Sequence, residues 1–501
     1  MRRLKIILLL IFLSVQLFAQ GAFQIPTIQQ TTQIDLQWLK VQGVISGAEQ
    51  IVAKPTQPNN YFIRDRFGNY GNYVFVPKFN YNVSLGFAAV GRSSEAFGTI
   101  TRPDTLVLNS TTSISNDAYT DGRITYNSET RYIVAYIGAT HKAVLSDTFT
   151  VRPISGVSTY TISMVHPAFI VNDTEIDGFY VGKYEASIIS NTGVIQTATT
   201  TYSGISWDTG TEWVAQNKCA TSRVNVEPQV NIDYDAAKAS CAAMNPDGGG
   251  TLATGEFHLI SNAEWGAIAL WARYQVTGLS QVWPRGNNLY GVDTDDKSCI
   301  FKIPSTNSYV LQLSGTARSL TGSGGFKTSH NREVNGIYDL NGNVWEWCSG
   351  LRVSEGKIYV AGNTNTSARY AGNSIDATEG NYYDTGIYYN WDGVAATFTF
   401  SNSSRGTSMS GFTPDYKNQP FNLTNTNATD VLKLCGIAPI NQSGDYGLDY
   451  YYARNFSERI PVRGGGWTNG SGAGLFNLYL GGARSDVYSY IGFRVAFVKY
   501  P

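Results

Sequence analysis

The chain has 501 residues, a length that suggests roughly three domains of about 150 residues each. Its 37 basic and 38 acidic side chains give a net charge of −1, with no lysine- or arginine-rich run, which argues against a nucleic acid partner. Charged residues make up only 15% of the chain and tyrosine occurs 32 times, a composition more typical of β-rich extracellular proteins than of cytosolic enzymes.

Residues 1–20 have the pattern of a secretory signal peptide. Basic residues precede an apolar run over residues 6–13, and cleavage is expected between Ala19 and Ala22. The run is shorter than the ~20 apolar residues that span a bilayer, so the protein is not expected to be membrane-spanning. We therefore predict an exported protein, secreted or held at the cell surface, with a bacterial envelope as the expected location.

Residues 21–155 are predicted to form a separate all-β domain, with a small sandwich as the expected architecture. Residues 81–87 alternate apolar and polar side chains, the pattern of a half-buried strand, and residues 131–137 are typical of a more buried strand. Turn-forming Asn-Asn and Asp-Gly pairs separate such strands. The region lacks a set of residues suited to catalysis, so its expected role is support, anchoring or oligomerisation.

Residues 158–501 mix helices with strands, which predicts an α+β domain. An alanine-rich helix is expected over residues 233–244, because an aspartate can cap its start and glycines follow its end. A second helix is expected to begin at Ser261, since Ser261 and Glu264 have the spacing of a capping box.

Residues 344–347 are predicted to form a strand in which Trp345 and Trp347 share one face and Glu346 takes the other. A long insertion of about residues 352–455 follows, rich in Asn, Gly, Thr, Ser and Tyr. We expect this insertion either to be a solvated decoration of the surface or to extend a binding surface through its tyrosines.

The last part of the chain, residues 463–494, begins with Arg463 and three glycines and ends with Gly-Phe-Arg. Between these ends lie mostly Gly, Asn, Ser, Thr, Tyr and Asp. Binding loops use this mixture, because Tyr supplies stiff amphipathic contact area and Ser, Gly and Asn supply adaptable hydrogen bonds. An ordinary glycine-rich surface loop has the same composition, so composition alone leaves both interpretations open.

Together these segments resemble the formylglycine-generating-enzyme, or sulfatase-modifying-factor, superfamily, a variant of the C-type lectin fold. The resemblance spans about residues 160–498, and its motifs stand in the family order. They are Gly178–Glu185, the Asp-Ala-Ala-Lys helix that ends in Cys241, Ser261–Trp265, Asn335–Trp347, Arg463–Trp467 and Gly492–Arg494. The resemblance implies a C-type-lectin-like domain and does not cover the N-terminal all-β domain.

Oxidases of this superfamily carry two cysteines between the Arg-Gly-Gly and Gly-Phe-Arg motifs, and these cysteines bind copper. A Cu(I) site needs soft thiolate ligands, and only a thiolate is a useful nucleophile. The chain has five cysteines and none follows Cys435, so residues 463–494 cannot supply the pair. We therefore expect no enzyme activity, with a formylglycine-type oxidase as the alternative. Cys241 and Cys348 are expected to be buried or disulfide-bonded structural residues.

The C-terminal segment is most similar to the variable proteins of diversity-generating retroelements. In that family, positions between the two motifs are rewritten through Asn codons of the type AAY, which change to Gly, Tyr, Thr, Ser or Asp codons. The residues reachable in this way are the predicted ligand-binding positions: Gly466, Thr468, Asn469, Gly472, Asn477, Tyr479, Gly481, Gly482, Asp486, Tyr488, Ser489 and Tyr490. The resemblance implies binding to a variable protein or glycan on another cell or virus; a fixed, non-diversified adhesin is the alternative.

The other positions of the segment are interpreted as a framework. They are Arg463, Trp467, Ala473, Gly474, Phe476, Leu478, Leu480, Arg484, Ile491, Phe493 and Arg494. Phe476, Leu478 and Leu480 alternate, so they are expected to point into the core. Asn477, Tyr479 and Gly481 are then expected to face solvent, where substitutions usually change stability by only about half a kcal/mol.

No cofactor is expected, apart from a structural calcium ion that the resemblance allows. Calcium sites occur in parts of the superfamily near the Gly-Asn-Val-Trp-Glu-Trp motif, where Asn343 and Glu346 could offer the oxygen ligands that a hard cation prefers. A hydrogen-bonded turn and a structural carboxylate are the alternative for these two residues.

Overall fold

The computed structural model describes residues 51–54, 57, 59–82, 95–96, 100–102, 104–108, 119, 122–171, 174–245, 255–275, 300–303, 308–311, 318–361, 382–391, 393, 398–414, 416–420, 428–439, 449–469 and 472–499. Strands predominate there. The α-helices are Gly210–Ala215, Tyr234–Ala242, Asn262–Gln275 and Asp430–Leu434, and the 3-10 helices are Gly138–Thr140, Pro167–Phe169, Ile205–Trp207 and Phe326–Thr328. Within these residues, no helix is long and apolar enough to cross a bilayer. The predicted signal peptide lies outside them.

A six-stranded antiparallel sheet joins the two ends of the described chain. Its strands, in spatial order, are Ile51–Ala53, Asn60–Arg64, Tyr70–Pro77, Gly178–Gly182, Val495–Val498 and Glu256–Leu259. Tyr73, Val74 and Val76 are almost fully buried in it. The prediction of a separate domain over residues 21–155 is therefore wrong for residues 51–77, because their last strand hydrogen-bonds directly to Gly178–Gly182.

The other described strands of the N-terminal region form one connected eight-stranded sheet that has its own apolar core, and the small sandwich stays a prediction. Its strands are Asn80–Asn82, Thr159–Val165, Arg123–Tyr126, Glu129–Ile137, Lys142–Leu145, Thr105–Val107 and Ile100–Arg102, with Glu95–Ala96 paired beside Thr159–Val165. Ile124, Ile133 and Leu145 contribute to a separate apolar core. The predicted strand at 131–137 is confirmed within Glu129–Ile137, although it alternates between buried and exposed positions. Residues 83–87 of the other predicted strand lie outside the described part.

The two ends of this eight-stranded unit lie side by side. Asn80 pairs with Val165, and the His166 backbone N–H donates to the Phe79 carbonyl at 3.2 Å. Residues 80–165, which we call the β-insertion, therefore leave the larger domain after Phe79 and return to it at His166, next to the same point. The domain boundary lies near residue 165, about ten residues after the predicted one.

Local sequence signals place the two longer helices. The Asp233 side chain accepts from the Ala236 N–H at 2.8 Å and caps Tyr234–Ala242. At the next helix, the Ser261 hydroxyl accepts from the Glu264 N–H at 3.1 Å, and the Glu264 carboxylate accepts from the Ser261 N–H at 2.8 Å. Both predicted helix starts are confirmed.

A second six-stranded sheet carries the C-terminal segment. Its strands, in spatial order, are Lys417–Pro420, Tyr450–Ala453, Gly474–Leu480, Val462–Gly464, Trp345–Trp347 and Ile491–Phe493. Phe476, Leu478 and Leu480 pack into one apolar core, as predicted. Trp345 and Trp347 pack together into a second core. The sheet thus separates two cores, and both faces of it are largely buried.

The described part of residues 352–455 is built into the protein core. It contributes most of a five-stranded sheet with the order Phe398–Ser401, Tyr382–Trp391, Lys357–Ala361, Leu351–Ser354 and Glu458–Arg459. Tyr389 and Trp391 belong to the same apolar core as Phe476. The interpretation as a solvated decoration is therefore wrong for these strands. Three two-stranded ribbons complete the described strands: Ile170–Val171 with Thr174–Glu175, Ala186–Ser190 with Lys218–Ser222, and Ile300–Ile303 with Ser308–Leu311.

Candidate binding surface

Arg494, at the end of the Gly-Phe-Arg motif, anchors the C-terminal segment in the protein interior. It is fully buried, and its guanidinium donates to both carboxylate oxygens of Glu346 at 2.6 and 2.8 Å. It also donates to the carbonyls of Gly182 at 2.9 Å and Tyr338 at 3.0 Å. Burial lowers the pKa of Arg494, but the charge and hydrogen bonds of Glu346, together with the charges of Glu185 and Asp339, outweigh burial and leave that pKa above its usual value. The pair is therefore a structural ion pair.

Arg463, at the start of the segment, has a similar role on the same side of the sheet, since its strand position lies directly opposite Glu346. Its fully buried guanidinium donates to the Asn262 side-chain oxygen at 2.6 and 2.9 Å. It also donates to the carbonyls of Cys435, Gly436 and Phe476 at 2.9 to 3.1 Å. Both motif arginines are thus saturated by protein partners, as a framework requires.

The two residues considered for calcium are engaged with protein groups. The Asn343 side-chain oxygen accepts from the Ser319 N–H at 2.9 Å, and its amide nitrogen donates to Glu185 at 2.5 Å. Glu346 gives both oxygens to Arg494. No group of three or more His, Cys, Asp or Glu residues within the described ranges could hold a metal ion. Asn343 thus lies in a hydrogen-bonded turn and Glu346 in an ion pair, and a calcium ion at these residues stays a prediction.

The predicted ligand-binding positions divide by exposure. The exposed or half-buried ones are Thr468, Asn469, Tyr479, Asp486, Tyr488, Ser489 and Tyr490. The buried ones are Gly466, Gly472, Asn477, Gly481 and Gly482. Because glycine has no side chain, the burial of these glycines describes the backbone only.

Asn477 does not face solvent, which corrects the prediction from strand alternation. Its side chain is fully buried, and its amide nitrogen donates to the Gly472 carbonyl at 2.6 Å. A Cβ at Gly465 would lie 3.1 Å from that amide, so the motif backbone covers this side of the strand. Gly481 is likewise buried, and only Tyr479 of the three residues is partly exposed. Alternation assigns residues to a side of the sheet but does not show which side loops cover.

Gly464 of the Arg-Gly-Gly motif and the framework glycine Gly474 have no room for a side chain. Gly464 has a φ of +86°, which L residues rarely adopt, and a Cβ there would lie 2.9 Å from the Leu340 carbonyl oxygen. A Cβ at Gly474 would overlap the Asp449 carboxylate. Close backbone approach and a left-handed conformation therefore require glycine at these two positions.

The predicted variable glycines differ, since none adopts a left-handed conformation. The nearest atom to a Cβ at Gly472 would be the Tyr452 hydroxyl at 3.4 Å. At Gly466 and Gly482 the nearest atoms would be ring carbons of tryptophan at 3.3 Å, which needs a small adjustment. At Gly481, the flexible ring of Tyr479 would have to move. The backbone conformation therefore does not itself require glycine at these positions, and neighbouring side chains decide whether another residue fits.

Aromatic residues from outside the segment adjoin these positions. Tyr452 and Tyr479 lie on adjacent strands and Trp345 lies two strands beyond Tyr479 in the same sheet, with the three ring centroids 5.7 to 5.9 Å apart. Tyr450 follows at 6.2 Å from Tyr452. Tyr450 and Tyr452 belong to the insertion whose tyrosines were one of two alternatives for extending a binding surface, whereas Trp345 was predicted only as a strand residue. The run of three tyrosines at 450–452 was the available signal, but it fell in the segment interpreted as an insertion.

The loop over residues 481–490 is held through its backbone. The consecutive carbonyls of residues 488–490 accept hydrogen bonds from Asn231, Arg318 and Trp345 at 2.9 to 3.0 Å. The rings of its two exposed tyrosines stack at 17°, with centroids 5.1 Å apart. Because backbone carbonyls make these contacts, the loop position does not depend on the side chains at 488–490.

Arg484 ties the same loop to two other elements. Its guanidinium donates to Asp235 at 2.7 Å and to Glu458 at 3.2 Å. Asp235 lies in the helix Tyr234–Ala242 and Glu458 in the strand Glu458–Arg459. This bridging position agrees with the prediction that Arg484 is a framework residue.

A family model described as the sulfatase-modifying factor enzyme 1-like domain matches residues 154–498, which include both arginine motifs and the segment between them. The chain belongs to this family. The resemblance inferred from the motifs is thereby confirmed at the level of the family. No curated protein matches the chain in sequence. The match leaves out residues 51–77, although their strands complete a sheet of the sulfatase-modifying-factor domain.

The described cysteines of this sulfatase-modifying-factor domain are buried free thiols. They are Cys219, Cys241, Cys348 and Cys435. Burial raises the pKa of each thiol, to about 12 for Cys435. A high thiol pKa opposes the thiolate form that nucleophiles and copper ligands require. Cys299 lies outside the described residues.

Proposed function

We propose that this protein is an exported binding protein whose C-type-lectin-like domain presents a surface diversified by a retroelement. The proposed surface, the variable face, consists of Gly466, Thr468, Asn469, Gly472, Tyr479, Gly481, Gly482, Asp486, Tyr488, Ser489 and Tyr490. Its target is a protein or glycan on another cell or virus. The function is non-covalent recognition, in which stiff tyrosines supply contact area and small polar residues supply hydrogen bonds.

The observation that supports this proposal most is the contrast among the glycines of the segment. Glycine is required at Gly464 and Gly474 by conformation or close approach. At Gly466, Gly472 and Gly482 the backbone conformation does not require it, although a Cβ at Gly466 or Gly482 would lie 3.3 Å from a buried tryptophan ring, and these are positions that an AAY codon can reach. If the segment kept glycine only where the backbone conformation requires it, we would not expect glycines of this second kind beside Trp345, Tyr450 and Tyr452.

Enzymatic oxidation is the disfavoured alternative. The segment 463–494 contains no cysteine, and the four described thiols are buried with raised pKa values. A copper-dependent assay on a sulfatase-derived peptide tests this alternative. Turnover of that peptide would replace the binding proposal with an enzyme whose reactive groups lie elsewhere.

The decisive experiment is to sequence the DNA that flanks the gene. The proposal expects a near-copy of the codons for residues 463–494 that differs only where the copy has adenine, beside a reverse-transcriptase gene. Absence of such a copy, together with an unvarying segment in closely related strains, would favour a fixed adhesin.

A further inference from the structure

We infer that Asp486, Tyr488 and Tyr490 form a subsite on the variable face for an arginine side chain of a protein partner. All three residues belong to the loop over residues 481–490, which the structure describes in full. This inference rests on the proposed binding function and specifies the partner of the same surface. Of the two proposed target classes, it selects protein.

The two tyrosines present an accessible aromatic surface. Tyr488 is 37% exposed and Tyr490 is 39% exposed. Their rings are nearly parallel, at 17°, with centroids 5.1 Å apart. Among the described residues, no lysine or arginine lies over either ring, and the arginine of the same loop, Arg484, lies over Tyr234 instead. Because the face of an aromatic ring is electron-rich, exposed rings without such a neighbour can attract a cation from a partner.

Asp486 adds a negative charge beside these rings. Its Oδ2 accepts from the Ala483 N–H at 3.0 Å, which holds the carboxylate against its own loop. Asp486 forms no ion pair with any lysine or arginine in the part of the chain that the structure describes. The carboxylate therefore keeps its charge and has acceptor capacity for a further donor.

The arginines around the loop are engaged by other groups. Arg484 donates to two carboxylates on other elements, and Arg454 donates to the Gly481 carbonyl at 2.7 Å. Burial raises the pKa of Tyr488, and beyond burial the charge of Asp486 outweighs the opposing charge of Arg454. The negative charge is thus the stronger one at this ring, which favours a cationic partner.

A guanidinium matches this combination better than an ammonium group does. Because it is planar, it can stack on a tyrosine ring while its N–H edge donates to a carboxylate. The loop needs little ordering on binding, since hydrogen bonds already hold the carbonyls of residues 488–490. Asp and Tyr are both reachable from AAY codons, so this subsite belongs to the present version of the segment.

The test uses acetyl-Gly-Arg-Gly amide as the probe, with the full chain. The matched probe has citrulline in place of arginine, which keeps the planar shape but removes the charge. Saturation-transfer NMR should detect millimolar binding of the arginine peptide. The citrulline peptide should bind at least about fivefold more weakly, because it loses both the cation–π contact and the ion pair.

Three variants of the loop locate the binding. Asp486→Asn, which keeps an acceptor for the Ala483 N–H, and Tyr490→Ala should each weaken binding of the arginine peptide about three- to fivefold. Ser485→Ala, at an exposed position of the same loop outside the variable face, is the control and should bind as the wild type does. Circular dichroism and thermal unfolding establish that each variant is folded before its binding is interpreted.

The inference is overturned if the arginine peptide does not bind, if the citrulline peptide binds equally well, or if folded Tyr490→Ala binds as the wild type does. Binding of methyl pyranosides in place of the arginine peptide would also overturn it and would favour a glycan target. Its failure is distinct from failure of the proposed function, because the flanking template copy is read from DNA.

Discussion

The backbone conformation requires glycine at some positions of the C-terminal segment and not at others, and the unfolding free energies of alanine variants measure this difference. Gly464→Ala should destabilise the protein by about 1–3 kcal/mol, because the left-handed backbone opposes a Cβ that would also approach the Leu340 carbonyl. Gly472→Ala should change stability by less than about 0.5 kcal/mol, since its Cβ would meet only an ordinary contact. Chemical denaturation of both variants gives the comparison. Equal costs would contradict the assignment of Gly472 as replaceable.

His166 shows how burial of one residue links stability to pH. Its Nε2 is 3.2 Å from the Leu434 carbonyl and its Nδ1 accepts from the Ala168 N–H at 3.2 Å, an arrangement that suits the neutral ring. Burial lowers the pKa of His166 from 6.5 to about 3. The unfolded chain therefore binds the proton more readily, and stability is lost as pH falls from about 6.5 toward 3.

The matched variant for this histidine is His166→Asn, which keeps an acceptor for the Ala168 N–H but cannot titrate. The wild type should lose more unfolding free energy than the variant between pH 6.5 and 4, with an upper bound of about 5 kcal/mol for full protonation near pH 3. Urea denaturation at several pH values measures the difference. Parallel pH curves would show that His166 is not neutral in the folded protein.

At the level of elements, the start of the helix Asn262–Gln275 depends on its capping box. Ser261→Ala should destabilise the protein by about 1–2 kcal/mol, because it leaves the buried Glu264 N–H without its acceptor. Thr209→Ala is the control, since Thr209 caps the short helix Gly210–Ala215 from an exposed position. The Thr209→Ala variant should lose only about a few tenths of a kcal/mol of unfolding free energy. Similar thermal shifts for the two variants would contradict a special role for the buried box.

Elements that depend on residues close together in the sequence could be predicted. Pairings between parts of the chain that are far apart in the sequence could not. The helix start at Ser261 and the alternation of Trp345 and Trp347 follow from residues a few positions apart. The pairing of Tyr70–Pro77 with Gly178–Gly182 joins residues about a hundred positions apart, and no local pattern records it. The candidate binding surface was likewise predicted only in part. Alternation placed Tyr479 correctly at the surface but could not show that backbone covers Asn477.

At the level of the whole molecule, the β-insertion is an addition to the larger domain with a core of its own. That core includes Ile124 and Leu145 and meets the core of the larger domain only at the insertion's end, where Met164 packs against both among the described residues. The two ends of the insertion meet at the Phe79 carbonyl and the His166 N–H. Residues 51–77 instead supply three strands to the sheet that contains the last strand of the chain. Residues 51–77 therefore belong to the larger domain, although the β-insertion separates them in the sequence from the rest of that domain.

This organisation predicts opposite outcomes for two deletions. Replacing residues 80–165 by a short Gly/Ser linker should give a folded, monomeric protein, because the six-stranded sheet stays complete and the linked ends are already adjacent. A chain that begins at residue 154, where the family match starts, should aggregate. That chain lacks the strand paired to Gly178–Gly182, so it exposes a sheet edge and uncovers Phe179 and Val181. Size-exclusion chromatography and thermal unfolding distinguish the two, and a monomeric, cooperatively melting chain from residue 154 would show that the N-terminal strands are dispensable.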